Sequence, residues 1–353
     1  MSEHDAVILK SRGAALVVTK RPTPAPGPND ILVEVKAIAL NPVDHIQRKN
    51  GFNVSRYPKI LGSDIAGIVK AVGSNVASDS PRVGDRVTAY APSWFSKDSN
   101  DYGAFQKMVL IPSENITTIP DWMSFNQASM IPLAVLTAWF SFFTCGVARD
   151  ASFAEADKQG ILIWGVGGSV GSATLQIAKS MGFHVYATAS QRHHAYLKDL
   201  GKGPGKVSLF DYKDKDVVDK IIRAVKDDGV TMHQGIEAAA GNMGDCLRIL
   251  RATKGAATAQ LAAAPFSLAL LWHRLVPSCW SGASVRFVTI TDDHKTGGIF
   301  FVFRTWLAAR LAAGEFVPSP QAQVVPGGLG GIQAGLDLWS EGVSGVKLVV
   351  ELP

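Results

Sequence analysis

Residues 160–192, GILIWGVGGSVGSATLQIAKSMGFHVYATASQR, set an apolar strand, a glycine-rich turn, a helical stretch and a second apolar strand in direct succession. That order confines this part of the chain to a parallel strand–helix–strand unit. Strand Ile161 to Trp164 runs into Gly165, Gly167, Gly168 and Gly171. The helix starting near Ser169 points its unpaired N–H groups and positive dipole end at the turn, a natural seat for a pyrophosphate. Side chains at the glycine positions would obstruct the phosphates. A merely tight strand-to-helix turn is the plainer reading of the spacing, G-x-x-G-x-x-G, but the strand–turn–helix context favours a dinucleotide cradle.

A site built for an unphosphorylated ribose carries Asp or Glu about 20 residues past such a turn. Here the second strand ends in Ser190, Gln191, Arg192 and His193. A carboxylate would repel a 2'-phosphate, whereas a guanidinium pairs with it and a serine hydroxyl donates to it. NADPH is the expected cofactor. The plainer reading makes Arg192 and His193 solvated residues opening the next helix, and the missing acid is the stronger half of the argument.

At 353 residues, 47 % hydrophobic and 18 % charged, the chain has the makeup of an ordinary globular protein with room for two domains. Its net charge of +5 is not gathered into a run, and no basic and aromatic residues interleave, so no nucleic-acid partner is expected. The three cysteines, Cys145, Cys246 and Cys279, lie far apart, which excludes a C-x-x-C metal or redox pair and suits a reducing compartment. No uninterrupted apolar run approaches the about 18 residues of a membrane span, and the N-terminus lacks the pattern of a signal peptide. A cytoplasmic location, with no membrane contact, is expected.

Residues 5–120 carry short alternating runs (AVILK, ALVVTK, ILVEVKAIAL, IAGIVKAVG, DRVTAYA) separated by Pro and Gly, and so predict an antiparallel, barrel-like domain. Past Asp121 the period lengthens to that of helices, then alternates strands near 161–164, 184–189, 207–211, 233–239, 257–261 and 285–290 with helices. That is an α/β doubly wound parallel sheet. The end, QAQVVPGGLGGIQAGLDLWSEGVSGVKLVVEL, returns to short strands around one helix. The expected division is 1–130 for the first domain, 131–300 for the dinucleotide domain as an insertion, and 301–353 rejoining the first, with the cleft at the junction. The apolar segment Ala262 to Ser284, with Phe266, Leu268, Leu270, Leu271, Trp272, Leu275 and Trp280, either lines an acyl pocket, covers a subunit interface, or packs as a core helix.

Taken together, ALNPVDHIQRKNG, LGSDIAGIVKAVGSNV, VGDRVTAY, GAFQKMV, ASMIPLAVLTAWFSFF, the glycine turn and GVSGVKLVVEL resemble the medium-chain dehydrogenase/reductase superfamily over the whole chain. The resemblance implies a GroES-like β-barrel domain plus a Rossmann domain. Zinc-dependent members carry Cys and a His-Glu pair where this chain has Asn41-Pro42-Val43-Asp44 and Gly62-Ser63-Asp64, so no metal is expected. Without a Lewis acid to hold an alkoxide, reduction of a polarised C=C bond is favoured over alcohol oxidation. The chain is most similar to the fungal trans-acting enoyl reductases that serve polyketide synthases, and departs from some of them at Ile46 and at Gly171-Ser172.

This likeness implies reduction of an α,β-unsaturated thioester by hydride transfer to the β-carbon, the substrate presented by a polyketide synthase acyl carrier. It carries cofactor contacts to Asp44, His45, Gly168, Ser169, Val170, Gly171 and Ser172, to Ser190, Arg192 and His193 around the 2'-phosphate, to Tyr212 at the adenosine, and to Ser344 and Gly345 at the nicotinamide end. Thr137 would sit beside the nicotinamide, or else bond back to its own helix. Asn41, backbone groups near Asp44 and His45, and Lys49 are candidate donors to the thioester oxygen. Tyr57 is the candidate proton donor, against the readings of a half-buried loop tyrosine or of protonation by solvent. Asp44 and Asp64 are expected to fix loop backbone. A free-standing quinone or enone reductase, or a non-catalytic relative keeping NADPH for structure, stays open, as does monomer against homodimer.

Overall fold

The computed structural model describes residues 2–96, 99–264, 282–289 and 297–353. Alternation in the first third produces strands β1 (Glu3–Leu9), β2 (Leu16–Pro22) and β3 (Asp30–Ala39), then helix α1 (Pro42–Asn50). Strands β4 (Asp64–Val72), β5 (Arg86–Tyr90), β6 (Met108–Pro112) and β7 (Ile116–Thr118) follow. The apolar run after Asp121 forms two helices, α2 (Phe125–Ser129) and α3 (Pro132–Thr144). Pro132 explains the break, since it starts a helix well and continues one badly.

Strand and helix then alternate: β8 (Gln159–Trp164), α4 (Ser169–Ser180), β9 (His184–Ala189), α5 (His194–Leu200), β10 (Val207–Asp211), α6 (Val217–Asp227), β11 (Thr231–Glu237), α7 (Met243–Thr253), β12 (Ala259–Ala263) and β13 (Ala283–Phe287). A helical stretch at 298–312, which strand alternation does not anticipate, precedes β14 (Gln321–Val325), α8 (Ile332–Glu341) and β15 (Val346–Glu351). The strand expected at 285–290 begins earlier and ends at Phe287, and the strand expected at 257–261 starts two residues later, at Ala259. Phe266, Leu268, Leu270, Leu271, Trp272, Leu275 and Trp280 lie outside the described residues.

By internal contacts the chain forms two units, Met1–Leu133 with Asp292–Pro353, and Ala134–Thr291. In the second, six parallel strands are ordered β10-β9-β8-β11-β12-β13. The order reverses between β8 and β11, and ligands of such sheets bind at the carboxyl ends of the strands at this switch point. Strand residues Leu162, Trp164 and Leu261 pack with Val217, Ile221 and Val225 of α6 and Leu247 and Leu250 of α7 in one buried cluster. Those helices present apolar residues at three- and four-residue spacing, which buries one face of each.

The first unit holds a seven-stranded sheet ordered β14-β15-β3-β4-β5-β7, with β6 also on β3, and a separate β1–β2 hairpin. All its pairings are antiparallel except β14 with β15, so the expected antiparallel domain forms with one parallel pair at its end. The last strand, β15, hydrogen-bonds to β3, which makes the C-terminal segment part of the first sheet. Phe125–Thr144 has the length and mean apolarity that a bilayer span would need, although polar residues interrupt it and it forms two helices. Buried residues make up 72 % of that window, so its apolar surface is already used inside the molecule.

Candidate functional site

In the second unit the glycine turn sorts into two kinds of position. A Cβ on Gly171 would stand 2.3 Å from the Gly165 carbonyl oxygen and 2.7 Å from the Val166 Cα, so the first turn of α4 touches the strand end directly. Gly165 has φ +92°, and its Cβ would meet the Ala239 Cβ at 2.5 Å. These two glycines serve packing. Gly168 has nothing within 4 Å of such an atom, and Gly167 only the His193 ring at 3.9 Å, so this side of the turn is open. Ser169 and Val170 are half-buried there, at the helix end whose first N–H groups lack an intrahelical partner. The cradle therefore fits a phosphate-bearing cofactor.

The turn is held from below. Thr188 accepts from the Gly165 N–H through Oγ1 at 3.0 Å and from the Val166 N–H through its carbonyl at 2.9 Å. Glu237, buried at the end of β11, accepts the Asn242 N–H at 2.8 Å and so shapes the adjoining loop. Burial pushes its carboxyl above the usual range, with the Asn242 and Gly241 N–H groups opposing. Neither residue stands out in the sequence. Ser172 is fully buried, and its hydroxyl donates to the Ser169 carbonyl at 3.1 Å, so its side chain belongs to the helix rather than to the open face.

Past β9, the Ser190 hydroxyl meets the Tyr212 hydroxyl at 3.3 Å, and the Arg192 Nε donates to the His193 Nε2 at 3.1 Å. Arg192 and Tyr212 are exposed and His193 is half-buried. Burial first, then the neighbouring Arg192 charge, lowers the His193 pKa, so its ring is neutral over more of the pH range. Asp211 stands beside this group, and its carboxylate accepts the Gln191 N–H at 3.3 Å and the Lys213 N–H at 3.0 Å. On α3, the Thr137 carbonyl accepts from Ser141 at 2.8 Å, while its own half-buried hydroxyl makes no hydrogen bond among the described residues. The back-bonded alternative for Thr137 is therefore not what forms.

In the first unit, Asn41, Asp44 and Asp64 form a closed polar cluster with Lys347. Asn41 Nδ2 donates to Asp64 Oδ2 at 2.9 Å and to the Ala39 carbonyl at 3.5 Å, so its amide hydrogens are taken. Its Oδ1 accepts from the Lys347 ammonium, which also lies 3.6 Å from Asp64 Oδ2. Asp64 Oδ1 accepts the Leu133 N–H at 2.7 Å, and Asp44 Oδ2 accepts the Asn41 N–H at 2.8 Å. Asn41, Asp44, Asp64 and Lys347 are all buried. Burial pushes the Asp44 carboxyl up to about 7, and it pushes Asp64 up and Lys347 down against their mutual attraction. Among the described residues no group of three or more His, Cys, Asp or Glu is arranged to hold a metal ion.

The remaining candidates fall around this cluster or away from it. His45 donates from Nδ1 to the Leu336 carbonyl at 3.1 Å and packs against Trp339, so α8 fixes its tautomer. Lys49 is exposed at the far end of α1. Tyr57 is half-buried and packs against the sheet core. Ser344 is exposed and Gly345 turns at φ +71°, two residues before Lys347. Lys347 escaped the sequence reading, although a lysine inside the apolar run VKLVV is itself the signal.

Residues 27–121 match the alcohol dehydrogenase GroES-like domain. Over 351 residues, 99 % of each chain, the sequence is 43 % identical to the trans-enoyl reductase tndF of Aspergillus flavipes. The chain belongs to the trans-enoyl reductase family. It is also 48 % identical over 266 residues to the trans-enoyl reductase tazE of Aspergillus terreus, covering 75 % of this chain and 86 % of that one. The quinone oxidoreductase from Coxiella burnetii superposes with a TM-score of 0.73 over the full length of both chains at 22 % identity, a likeness of fold. This trans-enoyl reductase therefore has the medium-chain dehydrogenase/reductase fold, and it is an oxidoreductase.

Proposed function

We propose that this trans-enoyl reductase uses NADPH to reduce the α,β double bond of an enoyl thioester carried by a polyketide synthase. The observation that carries the reading is the closed Asn41–Asp64–Lys347 cluster. Its hard nitrogen and oxygen groups are spent on one another where a zinc-dependent relative needs open thiolate and imidazole ligands. Alcohol oxidation has no electrophile there to hold an alkoxide, whereas an enoyl thioester brings its own polarised carbonyl.

NADPH, when bound, supplies the hydride. The Gly168–Val170 turn, open on its outer side, offers backbone N–H groups to the pyrophosphate. Arg192, His193, Ser190 and Tyr212 supply donors and a flat ring for a phosphorylated ribose, and Asp211 turns its charge into two backbone N–H groups. Thr137 keeps a hydroxyl available for the nicotinamide end. Asn41 supports the β3–α1 turn instead of donating to the thioester oxygen, because its amide hydrogens are occupied. Tyr57 packs on the sheet core, and the α-carbon proton comes from solvent.

The test is to follow NADPH oxidation with a panel of 2-enoyl thioesters, simple enones and quinones. Thioester turnover with a strong preference over NADH is expected. Turnover of quinones alone would overturn the substrate reading, and equal use of NADH would overturn the cofactor reading.

A further inference from the structure

Two helices start on buried carboxylates of the first unit. Asp44 takes the N–H of Asn41 at the head of α1, and Asp64 takes that of Leu133, the second residue of α3, the helix that carries Thr137. Anionic oxygens at helix starts are favourable because first-turn N–H groups lack partners and the dipole is positive there. Buried anions nevertheless need a counter-charge, and among the described residues the ammonium paired with this group is that of Lys347. It comes from β15, two residues after Gly345. The Asn41 amide joins the parts, with Oδ1 on Lys347 and Nδ2 on Asp64, so the ammonium also fixes which way that amide faces.

We propose that Lys347 is a positioning residue: its ammonium clamps the Asn41 amide to Asp64 and so holds the 41–45 turn, the start of α3 and the 344–347 segment in one arrangement. This deepens the enoyl-reductase reading above and rests on it for the kinetic part of the test. The clamp joins segments more than 300 residues apart, since Lys347 and Asn41 are separated by 306 positions. Ser344 and Gly345, candidates for the nicotinamide end, lie on the last of those segments. Lys347 touches neither substrate nor cofactor in this role. It sets the geometry of the residues that do, and misplacement by about 1 Å is enough to slow a reaction by about a hundredfold.

The test compares Lys347→Met, Lys347→Arg and the charge-balanced pair Lys347→Met/Asp64→Asn by kinetics and by amide hydrogen exchange. In Lys347→Met, kcat for a 2-enoyl thioester is expected to fall at least tenfold with KM changed less than threefold. Exchange is expected to rise in 41–46 and 131–137 and to stay unchanged in the glycine turn at 165–171. Lys347→Arg should recover part of kcat by restoring a donor to Asn41. The balanced pair removes the Asp64 charge together with the ammonium, so it should be more stable than Lys347→Met, and it should still show a low kcat and loosened 41–46 amides. Wild-type kcat in Lys347→Met, or full recovery of kcat and protection in the pair, would overturn the clamp. Should the wild-type enzyme reduce no enoyl thioester, the substrate reading falls while the exchange pattern still decides the clamp.

Discussion

A β-carbon on Gly171 would lie 2.3 Å from the carbonyl oxygen of Gly165, so the first turn of α4 rests on the end of β8 with no room for a methyl group. Gly168, three residues earlier, faces open space. The two positions should therefore fail differently. Gly171→Ala should destabilise the fold by on the order of 3 kcal/mol or more, because backbone and not a flexible side chain must move. Gly168→Ala should leave the melting temperature within about 2 °C and weaken cofactor binding. Thermal unfolding with cofactor titration separates them, and equal melting losses would refute the distinction.

Arg192 is exposed, and its only described side-chain partner is the His193 ring, so little of the fold depends on its charge. Arg192→Ala should weaken NADPH by about 1.5 to 3 kcal/mol, the worth of a charge-assisted contact, and leave NADH nearly unchanged. Calorimetric titration with each nucleotide checks this. Equal losses for both would show that the guanidinium does not meet the 2'-phosphate.

The Thr137 hydroxyl has no partner among the described residues, unlike Thr144, whose hydroxyl donates to the Phe140 carbonyl at 2.7 Å. Thr137→Val keeps the shape and deletes only the hydroxyl. kcat should drop about three- to tenfold, the size of one hydrogen bond made during the reaction, with stability unaffected. An unchanged kcat would assign Thr137 to packing.

Asp44 should give stability a pH dependence whose sign follows from its burial. Burial raises its folded pKa to about 7 from the ordinary 3.8, with Asp64 adding to the rise and the Asn41 N–H and Lys347 opposing it; Tyr90 lies within the same electrostatic group. Between those two values the folded protein holds a proton that the unfolded chain has released, so this group's contribution falls as pH rises and is lost above about 7. Asp44→Asn should flatten that decline, and the variant's stability relative to wild type should rise from pH 4 to pH 8 in denaturant titrations. A difference that does not change with pH would place the ionisation elsewhere.

What could be read in advance follows distance along the chain. The glycine turn, the strand spacing and the missing acid after β9 are local patterns, and the parallel sheet forms where they place it. The return of β15 to the first sheet was also legible from its alternation and its position after a single helix. The Lys347 contact was not, because no periodicity links a lysine on the last strand to an asparagine 306 positions earlier. Nor could spacing tell that the Asn41 amide is consumed internally, since Asn suits both a donor to substrate and a structural bridge. The same limit applies to Gly165 and Gly171, which resemble Gly168 as letters and differ in what surrounds them.

Because β15 sits between β14 and β3, the sheet begun by β3 takes two strands from beyond the second unit and cannot be finished until that unit has been synthesised. β4 and β6 cover most of β3 early, so what waits for the late strand is the Ala37–Ala39 end, while a six-stranded sheet follows in the chain. The same strand brings Lys347, so Asp64 and the Asn41 amide, both laid down early, meet their ammonium only after the second unit has been made.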